Sequence, residues 1–275
     1  MSGEPATYIH GHHESVLRSH RWRSAENSAG YLLPHLAEEA VLLDVGCGPG
    51  SITVDLAARV PDGRVVGVDN VAAPLDGARA EAARQGVPNV EFRVGDVYDL
   101  PFEDHRFDVV HAHQVLQHLA DPVAALTELL RVCRPGGLVA ARDADYGAMA
   151  WYPVTDGLQR WRTLYRQAAH AGGGEPDAGR RLHAWARRAG ATDVTSTVSA
   201  WCFATPDERR WWGGTWAQRV VASTFAAQCT SNGFASTADL EELAAAWQEW
   251  SDDPDGWFLV PHGEILCRVG APSLG

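Results

Sequence analysis

A chain of 275 residues, 45% of them hydrophobic, is long enough to bury a sizeable core. No stretch offers the roughly 18 continuous apolar residues of a membrane span, and a formal net charge of −12 would repel a polyanion, so neither a membrane segment nor nucleic acid is expected. Five scattered cysteines show neither metal-ligand spacing nor a disulfide framework, and the N-terminus lacks the features of a signal peptide, which makes the reducing cytoplasm the expected compartment.

In chain order, residues 10–38 read as one or two helices ahead of the first strand. His10, His12 and His13 have no cysteine or carboxylate at ligand spacing, so no metal site is expected there; His12 is a candidate to face a substrate from a lid. Val41 to Val45, four apolar residues around Asp44, read as a buried parallel strand. Gly46, Gly48 and Gly50 follow as a turn into a helix starting near Ile52. Such a turn lets a ligand approach the backbone, and the helix start offers unpaired N–H groups to an anionic group. Dinucleotide-binding loops are related, but their third glycine falls where this chain has Ser51.

A second short strand closes on Asp69, about 20 residues past the glycines, where a carboxylate can accept from a ribose diol. A third, from Val90, ends on Gly95-Asp96-Val97, and a fourth runs from Phe107 to His113. Pro135-Gly136-Gly137 is expected to end a helix and turn the chain into a fifth strand, Leu138 to Arg142.

The set DVGCGPG (44–50), GVD (67–69), GD (95–96), LPF (100–102), FDVVHAHQVLQHL (107–119) and RPGG (134–137) resembles the class I S-adenosylmethionine-dependent methyltransferases, in particular their UbiE-like small-molecule branch. The resemblance covers roughly residues 36–145. It implies a Rossmann-like, doubly wound α/β sheet of seven strands with S-adenosyl-L-methionine across the carboxyl ends of the first four. It also implies that Gly46, Gly48 and Gly50 approach the methionine part and that Asp69 holds the ribose. Asp96 would bond the adenine amine, Val97 would present a backbone N–H to the ring, and His113 would pass the methionine moiety. Asp44 and Asn70 belong to the same expected set, although Asn70 departs from the small residue common there.

Three segments surround this core: an N-terminal helical lid (1–38), the cofactor-binding core (39–146), and the rest of the sheet with a helical cap (147–275, cap about 206–250). Val194 to Phe203 alternates as a sixth strand, and about 45 residues separate it from the last, where a hairpin is the norm. Of eleven tryptophans only Trp22 precedes residue 150. Most are expected to glue cap helices together, while Trp151, Trp201, Trp212 and Trp216 are candidates to line a pocket for a flat or hydrophobic substrate.

The expected activity is methyl transfer to a small aromatic or hydrophobic acceptor. A sulfonium methyl is already activated, so alignment with the nucleophile is the main requirement. His113 is the candidate base. Asp143, Asp145 and Tyr146 follow the fifth strand at the ligand edge and could orient a proton, with turn formation and capping as the competing role. A non-methylating enzyme on this fold, or a non-catalytic cofactor-binding subunit, is the alternative. The acceptor atom and the oligomeric state stay open, a homodimer included.

Overall fold

Valine, leucine and alanine dominate β1 (Val41–Val45), β2 (Arg64–Asp69) and β4 (Phe107–His113) because both faces of these strands are covered. β1 pairs in parallel with β2 on one side and with β4 on the other. β3 (Val90–Val94) extends the sheet beyond β2, and β5 (Cys133–Ala144) extends it beyond β4. The winding therefore reverses between β1 and β4, which opens a crevice at their carboxyl ends. The structure, a computed structural model, describes residues 22–270.

One face of the sheet is covered by α1 (Ala25–Ala29) and α2 (Ser51–Arg59), whose Ala25, Ala29, Ile52 and Leu56 pack on Leu42, Val109 and Ala140. A Ser24–Asn27 capping box starts α1, and the Ala25 amide donates to Asp55 of α2, so the segment is tied down at its first turn. α3 (Ala73–Gln85) packs beside α2 on Phe92. On the other face α4 (Pro122–Val132), capped by Asp121, buries Leu126 and Leu129 against Leu43, Val110 and Val139.

Two expectations about β5 and its surroundings need correction. Pro135-Gly136-Gly137 lies inside β5: Gly136, at φ 79°, accommodates the register shift between the Phe107–Cys133 and Val109–Leu138 pairs. The sheet also has eight strands rather than seven. The additional one, β6 (Ala150–Tyr152), has three residues, too few to show an alternation.

After α5 (Asp156–Ala171) come a 3₁₀ turn, Ala178–Arg181, and α6 (Leu182–Arg188). β7 (Asp193–Phe203) pairs antiparallel along β8 (Trp257–Arg268). The opposite edge of β8 pairs first with β6, at residues 257–259, and then with β5, from His262 onward. Residues 257–261 of β8 thus project past the carboxyl end of β5. On that projection sit α7 (Pro206–Ala222), α8 (Thr224–Ser231) and α9 (Thr237–Asp252), each started by a capping hydroxyl from Thr205, Ser223 or Ser236. These three helices, termed the cap, share a core in which Trp212, Trp216, Trp247 and Trp250 pack with Trp161 of α5 around Phe258. Among the described residues no helix is long and apolar enough to cross a membrane.

Candidate active site

The loop after β1 is fixed by its own main chain. The amides of Gly46 and Cys47 both donate to the Val68 carbonyl at the end of β2, at 2.7 and 3.0 Å. Gly46, Gly48 and Gly50 all have φ between 53° and 78°, the left-handed region in which a side chain is strained. A Cβ on Gly46 would run into Val115, and one on Gly50 would come within 2.6 Å of the Ala78 Cβ. Gly50 starts α2 without a side-chain cap, which leaves the helix N-terminus directed at the crevice. Half-buried Asp69 accepts from the Gly48 amide at 2.9 Å and the Val71 amide at 3.1 Å. Asp96 lies exposed in the turn after β3, where its Oδ1 accepts from the Tyr98 amide at 3.0 Å, and Val97 packs beside it against the core.

Along the same edge, one face of the sheet carries a row of polar side chains. Register pairs His113 with Arg142 and Arg142 with Glu264, while His262 faces Ala144 two residues along β8. Arg142 is 1% exposed; its Nε donates to Ser199 Oγ at 3.0 Å and to Glu264 Oε1 at 3.2 Å. Ser199 and Thr197 also donate to Glu264, so both carboxylate oxygens are engaged. Among the described residues neither Nη atom of Arg142 has a hydrogen-bond partner, and the same holds for both ring nitrogens of His113 and for Nδ1 of His262. The other nitrogen of His262 lies 2.8 Å from the Gln114 amide nitrogen.

Trp201 is the common neighbour of this row. Its ring centroid lies 4.3 Å from that of His262 and 5.9 Å from that of His113. The Arg142 and Arg23 guanidinium carbons stand 5.0 and 5.6 Å from it. Trp201 Nε1 donates to the Asn27 carbonyl at 2.7 Å, and Arg23 Nη2 donates to Gln114 Oε1 at 2.6 Å, so α1 and the residues just before it close this side. Burial first, and then the cations of Arg142 and Arg23, hold His113 and His262 well below the usual histidine range. Both imidazoles are therefore neutral at pH 7, and the same burial and cations make them weak bases. Burial also pushes the Asp143 carboxyl, capped by the Gln117 amide at 3.0 Å, up to about 7.

A family model described as a methyltransferase domain matches residues 36–190. An uncharacterized methyltransferase of Schizosaccharomyces pombe is 38% identical over 272 residues, covering 95% of this chain and 96% of the relative. The chain belongs to the methyltransferase family. A probable methyltransferase of Aspergillus luteorubrus is 27% identical over 282 residues, covering 97% of this chain and 98% of its own. In fold, the chain is similar to phosphoethanolamine N-methyltransferase 2 of Haemonchus contortus, solved with phosphomonomethylethanolamine and S-adenosylhomocysteine: TM-score 0.55, 17% identity, 86% of this chain and 50% of that one.

S-adenosylmethionine is the cofactor of this methyltransferase. The loop fits it, because the three glycines leave a cradle that a Cβ would strain or obstruct and Asp69 stands at its rim. Gly46, Gly48, Gly50, Asp69, Asn70, Asp96, Val97 and His113 all lie at the carboxyl ends of β1 to β4.

Other expected residues sit elsewhere. Asp44 is turned into the interior: one oxygen accepts from Thr53 at 2.6 Å and the other lies 2.7 Å from His111 Nδ1, so it braces β1 against α2 and β4. Asp145 is clamped by Arg180 at both oxygens, each at 2.6 Å, and caps the turn at Ala148. Tyr146 is buried and stacked on Tyr165 with centroids 4.0 Å apart, and burial raises its hydroxyl above the usual range. Neither is placed to take a proton from an acceptor. Trp151 stacks on Phe258, Trp212 on Phe203, and Trp216 meets Trp161 and Trp247, all within the cap core. Of the four expected pocket tryptophans, the polar row includes Trp201 alone. His12 lies outside the described residues.

Arg23, Gln114, Arg142 and His262 are not among the expected site residues. The available signal for Arg142 is a charge at the end of the apolar run Leu138 to Ala141, which a buried strand tolerates only with a partner. Gln114, at φ 53°, carries a backbone strain that only the structure reveals.

Proposed function

We propose that this methyltransferase transfers the methyl group to a small, flat aromatic or hydrophobic acceptor lying on Trp201, at the carboxyl ends of β4 and β5 and beneath the cap. The observation that carries this reading is the approach of the Trp201 ring to a neutral His113, centroids 5.9 Å apart, whose two ring nitrogens have no hydrogen-bond partner among the described residues, at the edge that also holds the glycine loop. The bound cofactor supplies an activated methyl group. The chain's own residues have the remaining tasks. The backbone of residues 46–50 and Asp69 fix one reactant, and Trp201 orients the other. His113, a weak base in this setting, takes the proton that an acceptor hydroxyl or acidic carbon sheds as it gains the methyl group, an effect worth about 10²-fold, the lower end for such groups. Trp22, packed on Trp201, Phe203 and Trp211, joins the N-terminal segment to β7 and the cap and excludes water from that side.

The test is incubation with labelled cofactor and a panel of phenols, quinols, amines and thiols. Label is expected in a flat phenol or quinol. His113→Gln should lower kcat by about 100-fold and leave cofactor affinity within about threefold. Transfer to aliphatic amines alone, or a variant as fast as the parent, would remove this reading.

A further inference from the structure

We infer that the acceptor carries a planar carboxylate, seated by Arg142, His113 and His262 against the face of Trp201. This rests on the acceptor site proposed above and names the chemistry it selects.

The argument is one of unmatched donors. Glu264 engages only the Nε of Arg142, and its remaining positions are taken by the hydroxyls of Ser199 and Thr197. The two Nη atoms of Arg142 are left buried with no acceptor among the described residues. A buried ionic donor without an acceptor is destabilising, so native structures rarely leave one. The Tyr31 hydroxyl is also buried without a hydrogen-bond partner among the described residues, and burial, with the carboxylate of Glu264, raises its pKa well above the usual value, so it stays protonated and able to donate. His113 and His262, both neutral, each keep one N–H and can donate without adding charge.

The carboxylates nearby do not serve these donors. Asp44 is bonded at both oxygens to Thr53 and His111, and Asp145 at both to Arg180. Asp143, next to Arg142 in sequence, projects from the opposite face of β5, where it caps the Gln117 amide. A ligand must therefore bring the acceptors. Two coplanar oxygens match the guanidinium fork, and an sp² framework behind them matches the indole face 5.0 Å from the guanidinium carbon. An amide or alcohol of the same size would satisfy fewer of these donors.

Arg142 is separated from the glycine loop by β4, so the carboxylate it awaits belongs to the acceptor and not to the cofactor. That distinction can be measured. The full chain loaded with S-adenosylhomocysteine is titrated calorimetrically with benzoate and with benzamide, a matched pair differing in charge and in one oxygen. Benzoate is expected to bind at least tenfold more tightly. Arg142→Gln combined with Glu264→Gln removes both charges together, and should reduce the ratio to within twofold while S-adenosylhomocysteine affinity stays within threefold. Should that variant fail to fold by circular dichroism, His262→Asn provides the second arm, with the ratio expected to drop at least threefold.

Equal affinity for the pair, or no benzoate binding, overturns the inference. So does loss of S-adenosylhomocysteine affinity along with the ratio in a folded variant, which would assign Arg142 to the cofactor. A protein that prefers benzoate yet methylates no member of the acceptor panel, extended to hydroxybenzoates, supports this inference and removes the transfer reading.

Discussion

The carboxyl edge of the sheet is held in shape by two different means. On the β1–β2 side the loop is a main-chain object: amides of residues 46–48 bond to Val68 and Asp69, and left-handed glycines keep side chains out. On the β5–β8 side the same edge is built from side chains, with Arg142, Glu264, His113, His262 and Trp201 meeting across four strands and the indoles of the cap stacked beyond them. A main-chain site depends little on distant packing and tolerates almost no added atom. A side-chain site takes its geometry from the packing behind it. Damage to the first should cost affinity with little stability, and damage behind the second should cost stability with little cofactor affinity.

The largest expected effect is on the loop. Gly48 holds φ 53°, and valine there would be both strained and placed toward the ligand's approach. Gly48→Val should abolish S-adenosylmethionine binding in calorimetry while the thermal midpoint moves by only a few degrees. Wild-type affinity would put the ligand elsewhere.

Behind the cap, Trp161 is fully buried and meets Trp216 at 4.6 Å and Trp247 at 4.8 Å, edge to face. Trp161→Ala should cost about 3–5 kcal/mol of stability in chemical denaturation, because a large cavity opens among rigid rings. Cofactor affinity, measured well below the denaturation midpoint, should change less than about fivefold. A tenfold or greater loss of affinity would show that the two sides are coupled and that the contrast drawn above fails.

Asp69→Ala is smaller. The carboxylate leaves the Gly48 and Val71 amides, and the ribose diol assigned to it, without an acceptor. Affinity should fall by about 1–3 kcal/mol, read by calorimetry, with methyl transfer restored at saturating cofactor. Unchanged affinity would take Asp69 out of the site.

The same contrast explains what was legible in the sequence. Strands buried on both faces read as apolar runs, and a main-chain site needs glycines and a carboxylate at set distances along the chain, so β1, β2, β4 and the loop stand out. The polar row does not, because the contact between Arg142 and Glu264 joins residues 122 apart through the β5–β8 register. Trp201 and Trp212 are alike as letters. Parity along β7 places Trp201 with Ser199 and Arg142, whereas Trp212 points from α7 into the cap. Asp145 looked free to take part in chemistry until the fold brought Arg180 against both its oxygens. Side-chain sites are written in register, which a local reading of the chain does not contain.

Trp22 offers the finest division between the two sides, because it belongs to neither loop nor cap core and touches the rim of the polar row. It is 38% exposed, and its ring lies 5.2 Å from Trp201, 5.5 Å from Phe203 and 5.1 Å from Trp211, thereby linking the N-terminal segment to β7 and α7. Ring pairs of this kind contribute about 0.5–1.5 kcal/mol each beyond their buried area, and partial exposure places the total for Trp22→Ala near about 1 kcal/mol. If the segment encloses the acceptor, that loss should appear in turnover: kcat lower by about tenfold, with S-adenosylmethionine affinity within about threefold. Trp22→Phe, which keeps part of the ring contact, should recover most of the rate. Parallel losses of cofactor affinity and kcat would assign the segment to the glycine-loop side, and an unchanged kcat would leave the acceptor pocket open to water at this rim.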